Sequence, residues 1–331
     1  MVEGVAQSPV TGAAQYSISK TGSLVYVSGG LQGTQRKLVW LSRDGKEEPV
    51  PAPARAYQNP RLSPDGRRIA VSVVDQGTQA WLYDLSSDTL RRLTFEGKVN
   101  NFPSWTPDGK HLAFASDKAG FSDIFWQLAD GAGGFEQLTN LEYAHPNSWS
   151  PDGQLLAFVQ GTATKGYGIW VLRMADRKAQ PLLQTAIDET APRFSPDGHW
   201  LAYASDESGR SEVFIQPYPG PGGKWQISTE GGTEPMWNPN GRELFYRSGD
   251  KMMAVDITTQ PPFSAGKPRM LFSGPYLPDW TALGTNYDIS PDGRRFLMVK
   301  PVDSPDAGPA QINVVLNWFE ELKHRVPPRT K

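Results

Sequence analysis

The sequence predicts an all-β chain, a β-propeller of four-stranded antiparallel blades, and three observations carry that prediction. A four-residue turn signal recurs at a near-constant interval along the chain. Large aromatic and β-branched residues return at fixed offsets from it. Glycine (33 of 331 residues), proline (29) and tryptophan (11) are all frequent, which suits short strands joined by tight turns better than helices.

The turn signal is Ser63-Pro64-Asp65-Gly66. It returns as Thr106-Pro107-Asp108-Gly109, Ser150-Pro151-Asp152-Gly153, Ser195-Pro196-Asp197-Gly198, Asn238-Pro239-Asn240-Gly241 and Ser290-Pro291-Asp292-Gly293. A degenerate first copy, Ser19-Lys20-Thr21-Gly22, lacks the proline. Successive copies stand 43 to 45 residues apart, except the last, which follows after 52. A period of about 40–45 residues is that of one propeller blade. Proline presets φ at the first corner of the turn, Asp or Asn suits the second, and Gly accepts the positive φ that follows. Each copy therefore joins a first strand to a second.

The rest of each repeat reads alike. A large apolar residue stands two before the proline or its equivalent: Ile18, Leu62, Trp105, Trp149, Phe194, Trp237 and Ile289. Second strands follow, as at 69–71, 112–114 and 201–203, then third strands, as at 38–40, 81–83 and 124–126, and fourth strands, as at 92–94, 137–139 and 226–228. These strands are apolar on both faces because each blade lies between two others. The count predicts one domain over 1–331 with seven blades, at about 13–50, 58–95, 101–140, 145–184, 190–229, 233–273 and 285–319. Six blades is the alternative, since the first and last repeats are the least regular. The last repeat has no obvious fourth strand, so residues 1–8 are expected to supply it and close the ring, leaving 320–331 as a tail.

Composition excludes several function classes. The 33 basic and 35 acidic residues are interspersed and leave a net charge of −2, which argues against nucleic acid. No apolar run approaches the roughly 18 residues of a membrane span, so this segment is not expected to insert. The absence of cysteine removes disulfides, zinc–thiolate sites and thiol nucleophiles, and it suits an oxidising compartment. Neither Gly-x-Ser-x-Gly nor His-Glu-x-x-His occurs, and no catalytic residue is assigned. Of the four histidines, His111 and His199 follow turns and His324 lies in the tail, so no three-histidine metal centre is expected.

The loops that enter the innermost strands open at the mouth of the central channel. They carry Gln58-Asn59, Asn100-Asn101, His145, Glu189-Thr190, Thr233-Glu234 and Thr285-Asn286. Three residues before the turn proline, within those strands, stand Arg61, Arg193 and Asp288. The candidate ligand-binding set is thus Asn59, Asn101, His145, Glu189, Thr190, Glu234, Asn286, Arg61, Arg193 and Asp288. In the functional reading the ring holds a ligand, a peptide terminus or a divalent cation; Glu189, Glu234, Asp288 and the asparagine amides are oxygen ligands that suit Ca²⁺. In the structural reading the loops are polar because the channel holds water, and no cofactor is expected. Trp280 joins the set from the long spacer before the last turn, where it and Tyr276 either form an aromatic lid or pack the loop against its own blade.

Repeats of the form apolar-Ser-Pro-Asp-Gly-basic-x-Ile/Leu-Ala-Phe/Tyr resemble the WD40-like repeat of the TolB-type propeller family, over roughly residues 13–318. Two stretches, Arg242-Glu243-Leu244-Phe245-Tyr246 and the ending from Asn313 to Lys323, are similar to the C-terminal propeller of bacterial membrane-anchored serine/threonine protein kinases. The kinase motifs themselves, a Gly-rich phosphate loop, His-Arg-Asp and Asp-Phe-Gly, are absent from the sequence. The resemblance implies a monomeric sensor or interaction domain that binds a protein, peptide or small molecule. It implies an extracytoplasmic or periplasmic setting if the chain is a fragment of a membrane-anchored protein. The alternative function is a hydrolase or lyase with a polar or metal site at the channel mouth, and a purely structural module is a third.

Overall fold

A computed structural model describes residues 5, 16–27, 35–162, 166–220, 222–260, 262–279, 281, 283–302, 312–319 and 322. Strand β1 (Tyr16–Ile18) and β2 (Leu24–Val27) form a hairpin, followed by β3 (Arg36–Ser42) and β4 (Glu47–Pro49). Four regular sheets come next. They are β5 (Tyr57–Leu62), β6 (Arg68–Val74), β7 (Thr78–Asp84) and β8 (Thr89–Arg92); β9 (Asn100–Trp105), β10 (His111–Ser116), β11 (Asp123–Leu128) and β12 (Glu136–Gln137); β13 (Ala144–Trp149), β14 (Leu155–Thr162), β15 (Gly166–Arg173) and β16 (Lys178–Leu183); and β17 (Glu189–Phe194), β18 (Trp200–Ser205), β19 (Glu212–Pro217) and β20 (Trp225–Gln226). A fifth sheet joins β21 (Thr233–Trp237), β22 (Glu243–Ser248), β23 (Lys251–Thr258), β24 (Ser264–Ala265) and β25 (Arg269–Ser273). The chain then forms β26 (Tyr287–Ile289), β27 (Arg295–Pro301) and β28 (Ile312–Val315).

The chain divides into two compact units, Met1–Arg36 with Pro301–Lys331, and Lys37–Lys300. In the first, β1, β2 and β28 make a three-stranded antiparallel sheet, with Tyr16 opposite Tyr26 and Val25 opposite Val314. The Trp318 N–H donates to the Gly22 carbonyl at 2.6 Å, and the Phe319 ring covers Gly22.

In the second unit each sheet packs on the next through its own apolar cluster. Leu112, Trp105 and Leu82 lie between the first two sheets; Trp149, Phe158 and Ile124 between the next two. Phe194 and Phe214, then Trp237 and Val213, continue the series. The series closes through a sheet of order β26-β27-β3-β4, whose two halves come from opposite ends of the unit. One face of that sheet packs Phe296 and Leu41 on Phe245, and the other packs Leu297 and Leu38 on Tyr57 and Ile69. Among the described residues of this unit, six interfaces thus follow one another in a cycle. The turns repeat it: a β-carbon at Gly66 would lie 3.1 Å from Pro291, so the last turn meets the first.

The turns form as the motif dictates. At Ser63 the hydroxyl bonds Asp65 at 2.5 Å and accepts the Arg68 N–H at 3.0 Å, while Gly66 takes φ +69°. Equivalent pairs recur at Ser150–Asp152, Ser195–Asp197 and Ser290–Asp292. The serine hydroxyls hold the carboxyls of Asp65, Asp152 and Asp292 below the usual carboxylate range.

Two expected boundaries differ from the observed sheets. Residues 13–50 do not form one sheet, because β3 and β4 pair with β27 while β1 and β2 pair with β28; the expected last blade, 285–319, is divided by the same exchange. The reason is that a third strand's offset from its turn is the same whichever hairpin it joins, so spacing along the chain cannot choose between partners about 260 residues apart. The expected closing strand, residues 1–8, lies outside the described residues apart from Val5.

Candidate functional site

Five innermost strands of the second unit share a local irregularity. Pairing with the second strand shifts within β5, β9, β13, β17 and β21. At four of these bulges the residue five before the turn proline has positive φ: Asn59 (+49°), Phe102 (+52°), Ala191 (+49°) and Glu234 (+56°). A bulge adds a residue to one strand and re-aims its side chains, here toward the strand's neighbours around the ring. Only glycine takes positive φ freely. Ala191→Gly is therefore expected to be neutral or to stabilise by up to about 1 kcal/mol, and Ala191→Val to destabilise by more than about 1 kcal/mol, measured by urea unfolding.

Six of the candidate residues converge on one network, and its hub is the segment between β25 and β26. The Asn59 N–H donates to Asn286 Oδ1 at 2.7 Å. Arg61 donates through Nη1 to the carbonyls of Pro60 (2.6 Å) and Tyr287 (3.1 Å), and through Nη2 to that of Thr285 (3.1 Å). Arg193 donates to the Asn147 carbonyl at 2.6 Å and to Thr285 Oγ1 at 2.8 Å. Asn147 Nδ2 donates to the Leu283 carbonyl at 2.6 Å, and Leu283 packs against Phe102 and Val159. Glu234 accepts the N–H groups of Asn286 (2.6 Å) and Asp279 (3.0 Å), while its carbonyl accepts the Tyr287 hydroxyl at 2.8 Å. Asp288 accepts the N–H groups of Leu62 (2.7 Å) and Ile289 (2.8 Å). Residues 283–288 thus touch β5, β9, β13, β17 and β21.

Burial sets the electrostatics of this network. Glu234 is 2% exposed, and burial with help from Asp279 pushes its carboxyl up to about 7. Asp288 is also raised, again chiefly by burial. Burial lowers both guanidiniums, and the neighbouring Arg61 charge helps bring Arg193 down to about 9.

The remaining candidates stand apart. His145 is 8% exposed and packs edge-on to Phe102, ring centroids 5.1 Å apart; burial lowers its imidazole to about 4. Glu189 accepts the Thr185 hydroxyl at 2.7 Å and is raised by burial. Thr190 pairs across to Ala204, and Asn101 sits opposite Ala115. Trp280 lies outside the described residues.

The arrangement does not fit the Ca²⁺ reading. Glu189 is outside the network, the oxygens of Glu234 and Asp288 accept backbone N–H groups, and the Arg61 and Arg193 guanidiniums lie in the same network. Among the described residues no group of three His, Asp or Glu side chains could hold a metal. Sequence reasoning missed Asn147, Leu283 and Asp279 as members of the network. The signal for the last two was present in the 52-residue interval, whose extra residues form the inserted segment.

Comparison with known proteins agrees with the repeat. The model of the TolB beta propeller domain family matches residues 17–167 and 136–298. The Tol-Pal system protein TolB of Alcanivorax borkumensis is 38% identical over 64 residues, 19% of this chain and only 15% of that relative's length. Among solved structures, a TolB-like protein from Agrobacterium tumefaciens superposes with a TM-score of 0.66 at 19% identity, over 82% of this chain and all of that one. An oligogalacturonate lyase in complex with manganese superposes with a TM-score of 0.53 at 13% identity, over 88% of this chain and 97% of the lyase. At such identities the structural likenesses speak for the fold alone. The family model spans most of the chain, and its repeat is the one the turns and sheets display: the chain belongs to the TolB beta propeller domain family.

Proposed function

We propose that this chain is an interaction module that binds a protein or peptide at the end of the ring where the innermost strands begin. One observation carries the reading: an exposed aromatic pair at that end. Ser116 lies opposite both Asn100 and Asp123, so the loops 93–99 and 117–122 share it. Phe121 in the second loop is 51% exposed, and Tyr143, just before β13, is 44% exposed; their rings stand 5.8 Å apart. Tyr143 has φ +56°, a conformation bulky residues rarely keep without a reason. Phe95, in the first loop, is 71% exposed beneath the Arg92 guanidinium. Rigid exposed aromatics are the side chains that anchor protein interfaces.

The enzyme alternative has less support, because the polar groups at the channel are hydrogen-bonded to the chain's own segment rather than presented to a substrate. We further propose that the module acts as a monomer outside the cytoplasm, within a longer membrane-anchored protein; the kinase resemblance and the lack of cysteine support this. No helix among the described residues is long and apolar enough to cross a membrane. The test is affinity capture from the source organism with wild type and a Phe121→Ser/Tyr143→Ser variant. The variant is expected to lose the captured partner while its unfolding midpoint moves by no more than about 2 °C, as surface substitutions do. Equal capture by both proteins overturns the reading.

A further inference from the structure

Arg61 and Arg193 stand on β5 and β17, three sheets apart in a cycle of six, so they reach inward from opposite sides of the ring. They meet at one residue: Arg61 Nη2 donates to the Thr285 carbonyl and Arg193 Nη2 to the Thr285 hydroxyl. Both side chains are 7% exposed. All the hydrogen bonds described for them go to neutral oxygens, and the Nε–H of each has no partner among the described residues. Burying one cation without an ion pair is unfavourable, and burying two of like sign close together is more so.

The nearby carboxylates are committed elsewhere. Asp288 bonds the N–H groups of Leu62 and Ile289, and Glu234 those of Asp279 and Asn286. Asp279 caps its own loop through Thr281 and Gly284. They offset the two cations at a distance, but none bonds a guanidinium. A water satisfies an N–H without countering its charge, whereas an anion does both.

We propose that Arg61 and Arg193 form a buried anion site at the centre of the ring, taking a small monovalent anion, a halide or a carboxylate, on their free Nε–H groups. The two anion types share one chemistry, a compact negative acceptor, and a guanidinium N–H binds either.

The experiment is thermal unfolding of the whole chain at fixed ionic strength, with gluconate, a much bulkier anion, replaced stepwise by chloride, bromide, formate or acetate. A site that binds only the folded state produces a saturable rise, expected at about 3 °C for at least one small anion. The chloride and formate arms distinguish halide from carboxylate. Arg193→Met is expected to abolish the saturable rise whatever its own midpoint. Because that variant could fail to fold, wild-type crystals soaked in bromide supply an independent reading: an anomalous peak between Arg61 and Arg193 is expected. Identical midpoints in gluconate and every small anion, or a crystal with no bromide between the two arginines, overturns the proposal.

Discussion

Leu41→Ala is expected to destabilise the protein by about 2–5 kcal/mol in urea unfolding, whereas Ile18→Ala changes it by less than about 0.5 kcal/mol. Both residues fall in the stretch that the repeat assigns to one blade, and both are large aliphatics in strands. The difference lies in where those strands pair. Leu41 is fully buried on β3, in the cluster with Phe245, Met252 and Phe296, so its truncation leaves a cavity at the interface that completes the cycle of sheets. Ile18 is 45% exposed on β1, which among the described residues pairs only with β2. Were the expected blade 13–50 a single sheet packed like the others, the two truncations would cost similar amounts. Comparable losses would therefore refute the pairing of β3 with β27.

The same contrast explains how much of the fold was legible. The hairpins were, because Ser-Pro-Asp-Gly fixes its turn through local chemistry: the serine hydroxyl, the aspartate carboxylate and the glycine φ all act within a few residues. The order of strands in the regular sheets followed, since short connections pair neighbours. Closure was not legible. Which hairpin β3 joins depends on Leu38 meeting Tyr57 on one side and Leu41 meeting Phe245 on the other, contacts that no local pattern records.

For the candidate site, the offsets from the proline pick out Arg61, Asn59, Arg193, Glu234, Asn286 and Asp288, which the structure joins in one hydrogen-bond network. What they meet there was hidden. By spacing, Thr285 and Asn286 are one more polar loop equivalent to the rest, yet their segment is the hub to which the others bond. Periodicity treats every repeat as the same, so it overlooks the repeat that differs. The longer last interval was the departure from the rule that mattered.

A second large effect is expected in how stability depends on pH, and it appears only when one of two opposed groups is removed. The buried Glu234 carboxyl is raised from 4.5 to about 7, so the folded state holds a proton there that the unfolded state releases. Stability from this group is present below pH 4.5 and is lost as pH rises to about 7, by about 3 kcal/mol. The buried His145 imidazole is lowered from 6.5 to about 4, so the unfolded state takes up a proton that the folded state excludes. Its contribution is present above pH 6.5 and is lost as pH falls to about 4, again by about 3 kcal/mol. Between about pH 4.5 and 6.5 the two slopes have opposite signs and nearly equal size, so they cancel in the wild type. His145→Leu, which fills the apolar contact with Phe102, exposes the Glu234 slope, and its stability relative to wild type falls as pH rises through this range. Glu234→Gln exposes the His145 slope, and its relative stability climbs over the same interval. Titrating groups that interact with neither residue are common to all three proteins and drop out of the differences. Urea unfolding at half-unit pH steps measures both, and difference curves that diverge in opposite directions are the expected result. Flat differences for both variants would mean that neither group changes its protonation on folding, and that the burial of His145 and Glu234 is relieved by water reaching the centre of the ring.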